Sequence, residues 1–122
     1  MAKVQRFEEL RIWIEARALV NEVYSGLETS DKGSKDWGFR SQIQQAAISI
    51  MNNIAEGFER NSDKDFARFL DMAKASCGEV RSMLYLAEDQ QYLESRMASE
   101  LRTKSEHISK GIATLAKHLR SS

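Results

Sequence analysis

Apolar residues recur every three or four positions along most of this chain of 122 residues, a spacing that places them on one side of an α-helix. Polar stretches interrupt the pattern, the longest of them over residues 28–36 around Gly33. No segment alternates apolar and polar residues over six positions, and no Asn-Gly or Asp-Gly hairpin turn occurs. The pattern predicts no strands and four helices, over roughly residues 7–27, 37–58, 63–90 and 94–119.

The inward faces of three helices follow from their periods. In the first helix the predicted face comprises Phe7, Leu10, Trp13, Ile14, Val20, Val23, Tyr24 and Leu27. In the third it comprises Phe66, Phe69, Leu70, Ala73, Cys77, Val80, Leu84 and Ala87. In the fourth it comprises Met97, Leu101, Ile108, Ile112, Leu115 and Leu119. Ser62, with Asp63 and Asp65 in the turn behind it, is the predicted N-cap of the third helix.

The second helix carries two adjacent apolar stripes. The first is made by Phe39, Ile43, Ala47, Ile50 and Ile54. The second is made by Ile48, Met51, Ala55 and Phe58. Such a helix is either the most central one or presents its second stripe to another chain, so these four residues are a candidate oligomer interface. Gly57, near the end of the helix, is a predicted left-handed C-cap.

The predicted architecture is all-α, an antiparallel up-down-up-down four-helix bundle. Short connections force consecutive helices to run antiparallel, and the whole chain, residues 1–122, is used up by this single domain. With no proline and only six glycines, the chain has few residues that interrupt a helix.

Charge and cysteine content limit the ligands and the cellular compartment expected for this chain. Eighteen basic residues balance eighteen acidic ones, whereas a dedicated nucleic-acid binder is usually more basic. The single cysteine excludes an internal disulfide, as a reducing cytoplasm allows. The residues after Met1 show no secretion signal, and no run of about 18 apolar residues exists, so the chain is predicted to be soluble and cytoplasmic.

The last helix is the basic element of this neutral chain. Residues 92–122 hold six basic side chains against three acidic ones. This bias is either a solvated face that complements the helix dipole or a patch that binds nucleic-acid phosphates. The candidate patch comprises Arg102, Lys104, Lys110, Lys117 and Arg120.

The sequence contains no catalytic constellation and no cofactor motif, so the chain is predicted not to be an enzyme. Di-iron bundles need a Glu-x-x-His step on two helices, and here Lys104 precedes His107 and Leu115 precedes His118 by three residues. No metal site is therefore predicted. Cys77, on the apolar face of the third helix, is interpreted as a small buried hydrophobe rather than a nucleophile. Gly33-Ser34-Lys35 lacks the spacing of a phosphate-binding loop.

Polar residues within the apolar second helix call for an explanation. Asn53 and Glu56, with nearby Arg60, are either a buried ion-paired cluster that fixes helix register or a polar functional pocket. Trp13 fits the core, whereas Trp37 lies at a loop–helix junction and is harder to place. An exposed tryptophan would offer a stacking platform for nucleobases.

The segment Ser49–Arg60, SIMNNIAEGFER, resembles the SI-x-x-NIAEG-x-x-R core of the proteins encoded in intervening sequences of bacterial 23S rRNA genes. The resemblance extends over nearly the whole chain, through these groups of residues: Phe7-Glu8-Glu9-Leu10 with Trp13 and Ala16, Trp37-Gly38-Phe39 with Gln42 and Ala46-Ala47, and Phe66, Phe69-Leu70, Ala73, Ser76 and Glu79. One departure is the first loop, which often contains proline in the family and contains none here.

What the resemblance implies is a four-helix bundle that assembles into ring-shaped homopentamers. A related accessory protein of diversity-generating retroelements, which is strongly basic, binds nucleic acid and a reverse transcriptase. Two functions therefore stand open for this chain: an oligomeric module that binds RNA or a nucleic-acid-processing partner, and a protein-interaction ring without nucleic acid. Neither requires a cofactor.

Overall fold

The protein is described by a computed structural model that covers residues 3–121. Met1, Ala2 and Ser122 lie outside the described residues. The predicted domain limits, at residues 1 and 122, and the start of the segment predicted to lack a secretion signal therefore fall outside them. Within residues 3–121 the structure has four α-helices and no strands. They are α1 (Arg11–Glu28), α2 (Trp37–Phe58), α3 (Asp63–Asp89) and α4 (Ser95–Arg120). Short 3₁₀ helices at Phe7–Glu9 and Gly33–Lys35 precede α1 and α2.

Contacts between helices establish the up-down-up-down order. Across α3 and α4, Ser105 lies opposite Cys77 and Arg102 lies opposite Glu88, so residue numbers rise on one helix as they fall on the other. The same antiparallel relation holds between α2 and α3, where Gln42 contacts Glu79 and Ser49 contacts Ser76. It also holds between α1 and α4, where Glu15 lies opposite His107 and Glu22 opposite Lys104, so α1 runs antiparallel to α2 as well. The predicted bundle is confirmed, and each helix neighbours the next one along the chain.

Helix ends follow local chemistry. The Ser62 hydroxyl accepts a hydrogen bond from the Asp65 amide at 3.1 Å, so the predicted N-cap of α3 is confirmed. Asp36 caps α2 in the same way through the amide of Phe39, also at 3.1 Å. Helix α3 ends where Gln91 adopts a left-handed φ of 62° and Tyr92 returns its amide to the Ala87 carbonyl.

The first helix departs most from its prediction. Leu10 has an extended backbone, so the chain turns there and α1 begins at Arg11 instead of residue 7. Val20, Val23 and Leu27 are buried as predicted, but the rest of the inward face differs. Ile12, Ala16 and Leu19, which the predicted face omits, are buried, whereas Ile14 is 51% exposed and Tyr24 is 40% exposed.

The inward faces of α2 and α3 are largely as predicted. All five residues of the first α2 stripe are buried, and so is the α3 stripe apart from Phe66, which is half-buried. On α4 the buried set adds Ala98, Ser105 and Ala116, while Met97 is partly exposed. Small side chains such as these allow neighbouring helices to approach closely.

Gly57 serves close packing rather than a left-handed cap. No described glycine has a positive φ. A Cβ at Gly57 would lie 2.7 Å from the Phe69 Cβ and 2.9 Å from the Phe66 ring. The predicted C-cap is therefore wrong, because Gly57 is inside α2 and its missing side chain makes room for α3.

Candidate nucleic-acid interface

The five basic residues predicted as a patch on α4 do not form one surface. Lys104 faces α1, where it forms an ion pair with Glu22. Arg102 and Arg120 face α3, and both are paired there with carboxylates. Lys110 and Lys117 are exposed on the same side of α4 as these two arginines, by helical spacing. The structure thus separates Lys104 from the other four residues.

Ion pairs mark the two ends of the seam between α3 and α4. At one end, Arg102 Nη1 donates to Glu88 Oε1 at 2.8 Å, and the guanidinium lies 4.1 Å from the centre of the Tyr85 ring. This hydrogen bond holds the pKa of Glu88 below its usual range. At the other end, both carboxylate oxygens of Asp71 accept hydrogen bonds from Arg120, one of them at 3.1 Å.

Basic residues without ion pairs lie between these ends. Helix α3 contributes Lys74 and Arg81, which share a face with Asp71 and Glu88 because the four positions are spaced by three or seven residues. Helix α4 contributes Lys110 and Lys117. No ion pair involves any of these four cations within residues 3–121. A groove of about 620 Å³, lined in part by Lys74, Lys117 and Arg120, opens at the α4 C-terminal end of the seam.

We call this surface the basic seam, defined by Lys74, Arg81, Arg102, Lys110, Lys117 and Arg120. Its acidic members are Asp71, Glu88 and Glu106. Lys74 and Arg81 are not among the residues predicted for the patch, because the segment that carries them has a net acidic charge. The spacing of charges along α3 was the signal that could have shown them, since it places the basic and acidic positions on one face.

The polar residues of the family motif separate in the structure. The Asn53 side chain donates to the carbonyl oxygen and the hydroxyl of Ser49, at 2.9 and 3.0 Å, and the Ser76 hydroxyl donates to the Ser49 hydroxyl at 2.9 Å. This chain of hydrogen bonds joins α2 to α3. Both Asn53 hydrogen bonds stay within α2, and only the Ser76–Ser49 bond crosses to α3, so Asn53 is not part of an ion pair.

Glu56 and Arg60 do not share that contact. Glu56 is exposed and forms no ion pair in the part of the chain that the structure describes, so a buried ion pair at this position is the wrong interpretation. Arg60 extends toward α3, with its Nε 3.6 Å from the Asp65 carboxylate and its guanidinium 4.6 Å from the centre of the Phe69 ring. The three motif residues therefore do not form one cluster: Asn53 bonds to Ser49, Arg60 contacts α3, and Glu56 is exposed.

The second stripe of α2 is half-buried inside the protomer. Ile48 and Met51 pack against the edge of the core. The Phe58 ring lies edge-on to Phe66, with 5.9 Å between ring centres. Ala55 is half-buried and lines a shallow groove beside Phe7. The four residues are therefore partly covered by their own chain, and the uncovered part is what remains available to another molecule.

A second polar and aromatic cleft lies where α1 meets the start of α2. We call it the Trp37 cleft; its volume is about 290 Å³, and its lining residues are Tyr24, Trp37, Arg40, Ser41, Gln44 and Gln45. Trp37 is 72% exposed, and the Arg40 guanidinium lies 4.9 Å from the centre of its indole ring. Trp13, in contrast, is half-buried and packs against the core, as predicted.

Cys77 and His107 are two further side chains that could carry chemistry. Cys77 is fully buried, and burial raises the pKa of its thiol to about 12, so the interpretation of a buried hydrophobe is confirmed. His107 Nε2 lies 3.3 Å from Glu15 on α1, across a different seam from Cys77. No group of three His, Cys, Asp or Glu side chains within residues 3–121 could hold a metal ion.

The fold described above defines a four-helix-bundle protein. The sequence profile of the 23S rRNA-intervening sequence protein family matches residues 8–114, and the chain belongs to that family. No curated protein matches the chain. Among the described residues, no helix is both long enough and apolar enough to cross a membrane.

A solved structure shares the fold. It is a protein of unknown function from the S23 ribosomal protein family of Bacteroides thetaiotaomicron, and it superposes with a TM-score of 0.80. The match covers 87% of this chain and 98% of that one, at 20% sequence identity. The four-helix architecture is therefore common to both proteins.

Proposed function

We propose that this chain is a non-enzymatic module that assembles with copies of itself and binds RNA, or a partner that processes nucleic acid, through the basic seam. The observation that carries the proposal is the set of four cations, Lys74, Arg81, Lys110 and Lys117, that line the seam without carboxylate partners. No cofactor is required. The proposed setting is the cytoplasm.

The seam suits phosphate groups because its paired cations hold the two helices together while its unpaired cations remain available to a ligand. The ion pairs of Arg102 and Arg120 hold α3 and α4 together, so the surface keeps its shape without a ligand. The unpaired lysines can then neutralise phosphates and release the counterions bound to them, which is the main source of sequence-independent affinity for nucleic acid.

Self-assembly would compensate for the modest charge of one protomer. The half-buried stripe of Ile48, Met51, Ala55 and Phe58 is the proposed contact between copies, and a homopentamer is the proposed assembly. Repeated seams on one particle bind a long polyanion far more tightly than one seam does, because each later contact is intramolecular. Light scattering on the purified protein tests this, and a stable monomer at micromolar concentration would exclude the ring.

RNA binding is tested with a double variant, Lys74→Ala/Lys117→Ala, and a structured RNA titrated at two salt concentrations. We expect the intact protein to bind at about 50 mM salt and to lose much of its affinity at about 200 mM. The double variant should bind more weakly for all RNA sequences, with a salt dependence shallower by about two phosphate contacts. Lys32→Ala/Lys35→Ala, which removes two lysines from the first loop, is the matched control. Absence of binding at low salt would refute the RNA function.

A protein-interaction ring without nucleic acid is the second candidate. The observation that favours it is the exact balance of eighteen basic and eighteen acidic residues, which gives the protomer no net attraction for a polyanion. One experiment distinguishes the two candidate functions. An oligomer that binds no RNA at low salt supports the ring alone, whereas binding that depends on Lys74 and Lys117 supports the nucleic-acid module.

A further inference from the structure

Tyr85 lies within the basic seam and leaves most of its ring uncovered. The residue is 57% exposed. On α3 it follows Arg81 by four residues and precedes Glu88 by three, so the three side chains share one face of the helix. Lys74, seven residues before Arg81, is on that face too. Tyr85 is therefore an aromatic residue in a row of charged ones, and none of the phosphate contacts proposed above uses it.

Arg102 holds the Tyr85 ring in place from one side. Its guanidinium lies over the ring, 4.1 Å from the ring centre, while its Nη1 donates to Glu88 at 2.8 Å. The Arg102 side chain is only 17% exposed, so the guanidinium is itself fixed between the carboxylate and the ring. One face of the ring is thus covered and the other stays open. The open face is organised before a ligand binds, which lowers the entropy cost of binding.

The charges around Tyr85 indicate what covers its open face. Lys74 and Arg81 on α3 and Lys110 on α4 form no ion pair within residues 3–121. A ligand that complements both the cations and the ring therefore carries negative charge and a flat, weakly polar group together. A nucleic-acid strand has both, in its phosphates and its bases, and proteins that bind single strands pair a cationic groove with aromatic side chains.

The spacing along α3 suits one strand. Lys74 and Arg81 are seven residues apart and Tyr85 follows four residues later, which corresponds to about 10 Å and 6 Å along the helix axis. A stacked strand advances roughly 3.4 Å per nucleotide, so a few nucleotides reach all three side chains. In a duplex the faces of the bases are covered by the neighbouring base pairs. Tyr85 can therefore stack only with an unpaired base.

We propose that Tyr85 stacks with one unpaired base of an RNA strand whose phosphates lie against Lys74 and Arg81, so that the basic seam binds single-stranded RNA in preference to duplex RNA. This inference rests on the proposed RNA function and names its ligand. The affinity for a single strand then has two parts. Salt weakens the part that comes from the phosphates, whereas it leaves the part that comes from stacking largely unchanged.

The test compares single-stranded and duplex RNA at two salt concentrations. A fluorescently labelled RNA of about 12 nucleotides, within the site sizes of single-strand binders, is titrated alone and annealed to its complement. Tyr85→Leu keeps an apolar side chain and removes the ring. It should weaken single-strand binding about five- to a hundredfold, the range for loss of one stacked base, and leave duplex binding unchanged. The factor should be the same at both salt concentrations, because no phosphate contact is lost.

Two further variants and one direct measurement separate stacking from a structural role of Tyr85. Tyr85→Trp supplies a larger ring and should bind the single strand at least as tightly as the unmodified protein. Tyr24→Leu changes an exposed tyrosine in the Trp37 cleft, outside the seam, and is the matched control that should alter neither affinity. Ultraviolet irradiation of the complex with a uridine-containing single strand should cross-link the RNA to Tyr85, which mass spectrometry of the digested protein identifies.

Four other outcomes overturn the proposal. If Lys74→Ala/Lys117→Ala weakens RNA binding but Tyr85→Leu does not, stacking is wrong and the basic seam remains. If Tyr85→Leu weakens single-strand and duplex binding by the same factor, the ring only supports the seam. If no RNA binds at low salt, the RNA function and the stacking proposal are both wrong. If Tyr85→Leu lowers the mass measured by light scattering, the ring is a contact between copies.

Discussion

The seam between α3 and α4 and the seam between α1 and α2 lie on opposite sides of the bundle and are closed by different side chains. Helices α3 and α4 meet through small residues, and the Ser105 hydroxyl reaches the Cys77 carbonyl at 3.0 Å. Helices α1 and α2 carry larger side chains such as Trp13 and Met51, which pack against the core and are only half-buried.

This difference determines what each surface can bind. Close backbones at α3/α4 bring facing charges within pairing distance, so Arg102 and Arg120 are held by carboxylates and the surface is rigid and basic. Where α1 meets the start of α2 the Trp37 cleft opens, and two buried atoms of its lining residues, Arg40 Nε and Gln44 Nε2, have no acceptor among the described residues. The α3/α4 seam therefore presents charge, whereas the α1/α2 seam presents a cleft.

The largest expected effect is on the free energy of unfolding, and two isoleucine substitutions test it. Ile112 on α4 is fully buried, whereas Ile48 on α2 is half-buried at the edge of the core. Ile112→Ala should lower the free energy of unfolding by about 2–5 kcal/mol, because a cavity forms in a well-packed site. Ile48→Ala should cost less than half as much. Urea denaturation measures both changes, and equal losses would show that the two seams are packed equally well.

The second largest expected effect compares alanine substitutions of two glycines, one packed against α3 and one on its outer face. Gly57→Ala should destabilise the protein by roughly 1–3 kcal/mol, because the added Cβ meets Phe69 at 2.7 Å and either helix α3 or its side chains must shift. Gly78 lies on the outer face of α3, where an added Cβ meets nothing within 4 Å. Gly78→Ala should stabilise by about 0.5–1 kcal/mol through helix propensity. Thermal unfolding of both variants checks the opposite signs, and two changes of the same sign would contradict the geometry.

The smallest effect concerns the pH dependence of the Glu88–Arg102 pair. The pKa of Glu88 is lowered in the folded state, so its contribution to stability is present above the unfolded pKa of about 4.3 and is lost as pH falls through the folded value. Glu88→Gln should therefore lower the Tm slightly at pH 7 and have no effect near pH 2. Glu100→Gln, in the exposed pair with Arg96, should change the Tm less at pH 7. If the Tm of Glu88→Gln is still lower than that of the unmodified protein at pH 2, the ion pair is not the cause of the difference.

Local patterns predicted the helices well where caps and periodicity agree. The bounds of α2 match the prediction at both ends, and Ser62 starts α3 where its side chain can accept an amide hydrogen bond. The start of α1 was wrong because Leu10 is apolar and fits the helical period, yet its backbone is extended. Periodicity reports which face is apolar but contains no information about a single residue that leaves the helix.

The candidate sites were less predictable because they depend on two helices at once. Lys104 and Arg102 are only two residues apart, but they pair with different helices, Glu22 on α1 and Glu88 on α3. The basic seam includes Lys74 and Arg81, which lie in an acidic segment of α3. They come close to the basic residues of α4 only because the two helices pack together. The Trp37 residue itself was visible in the sequence as a candidate, whereas the unsatisfied donors beside it were not.

The sequence by itself determined the number of helices, their order and most of their inward faces, because a helix is specified by spacing and caps within a few residues. It also contained the family motif of Ser49–Arg60. Only the tertiary structure decided which cations are neutralised, why Gly57 has no side chain and where Trp37 is exposed. These properties depend on the separation and rotation of neighbouring helices, which the packing of the whole core sets and no local spacing encodes.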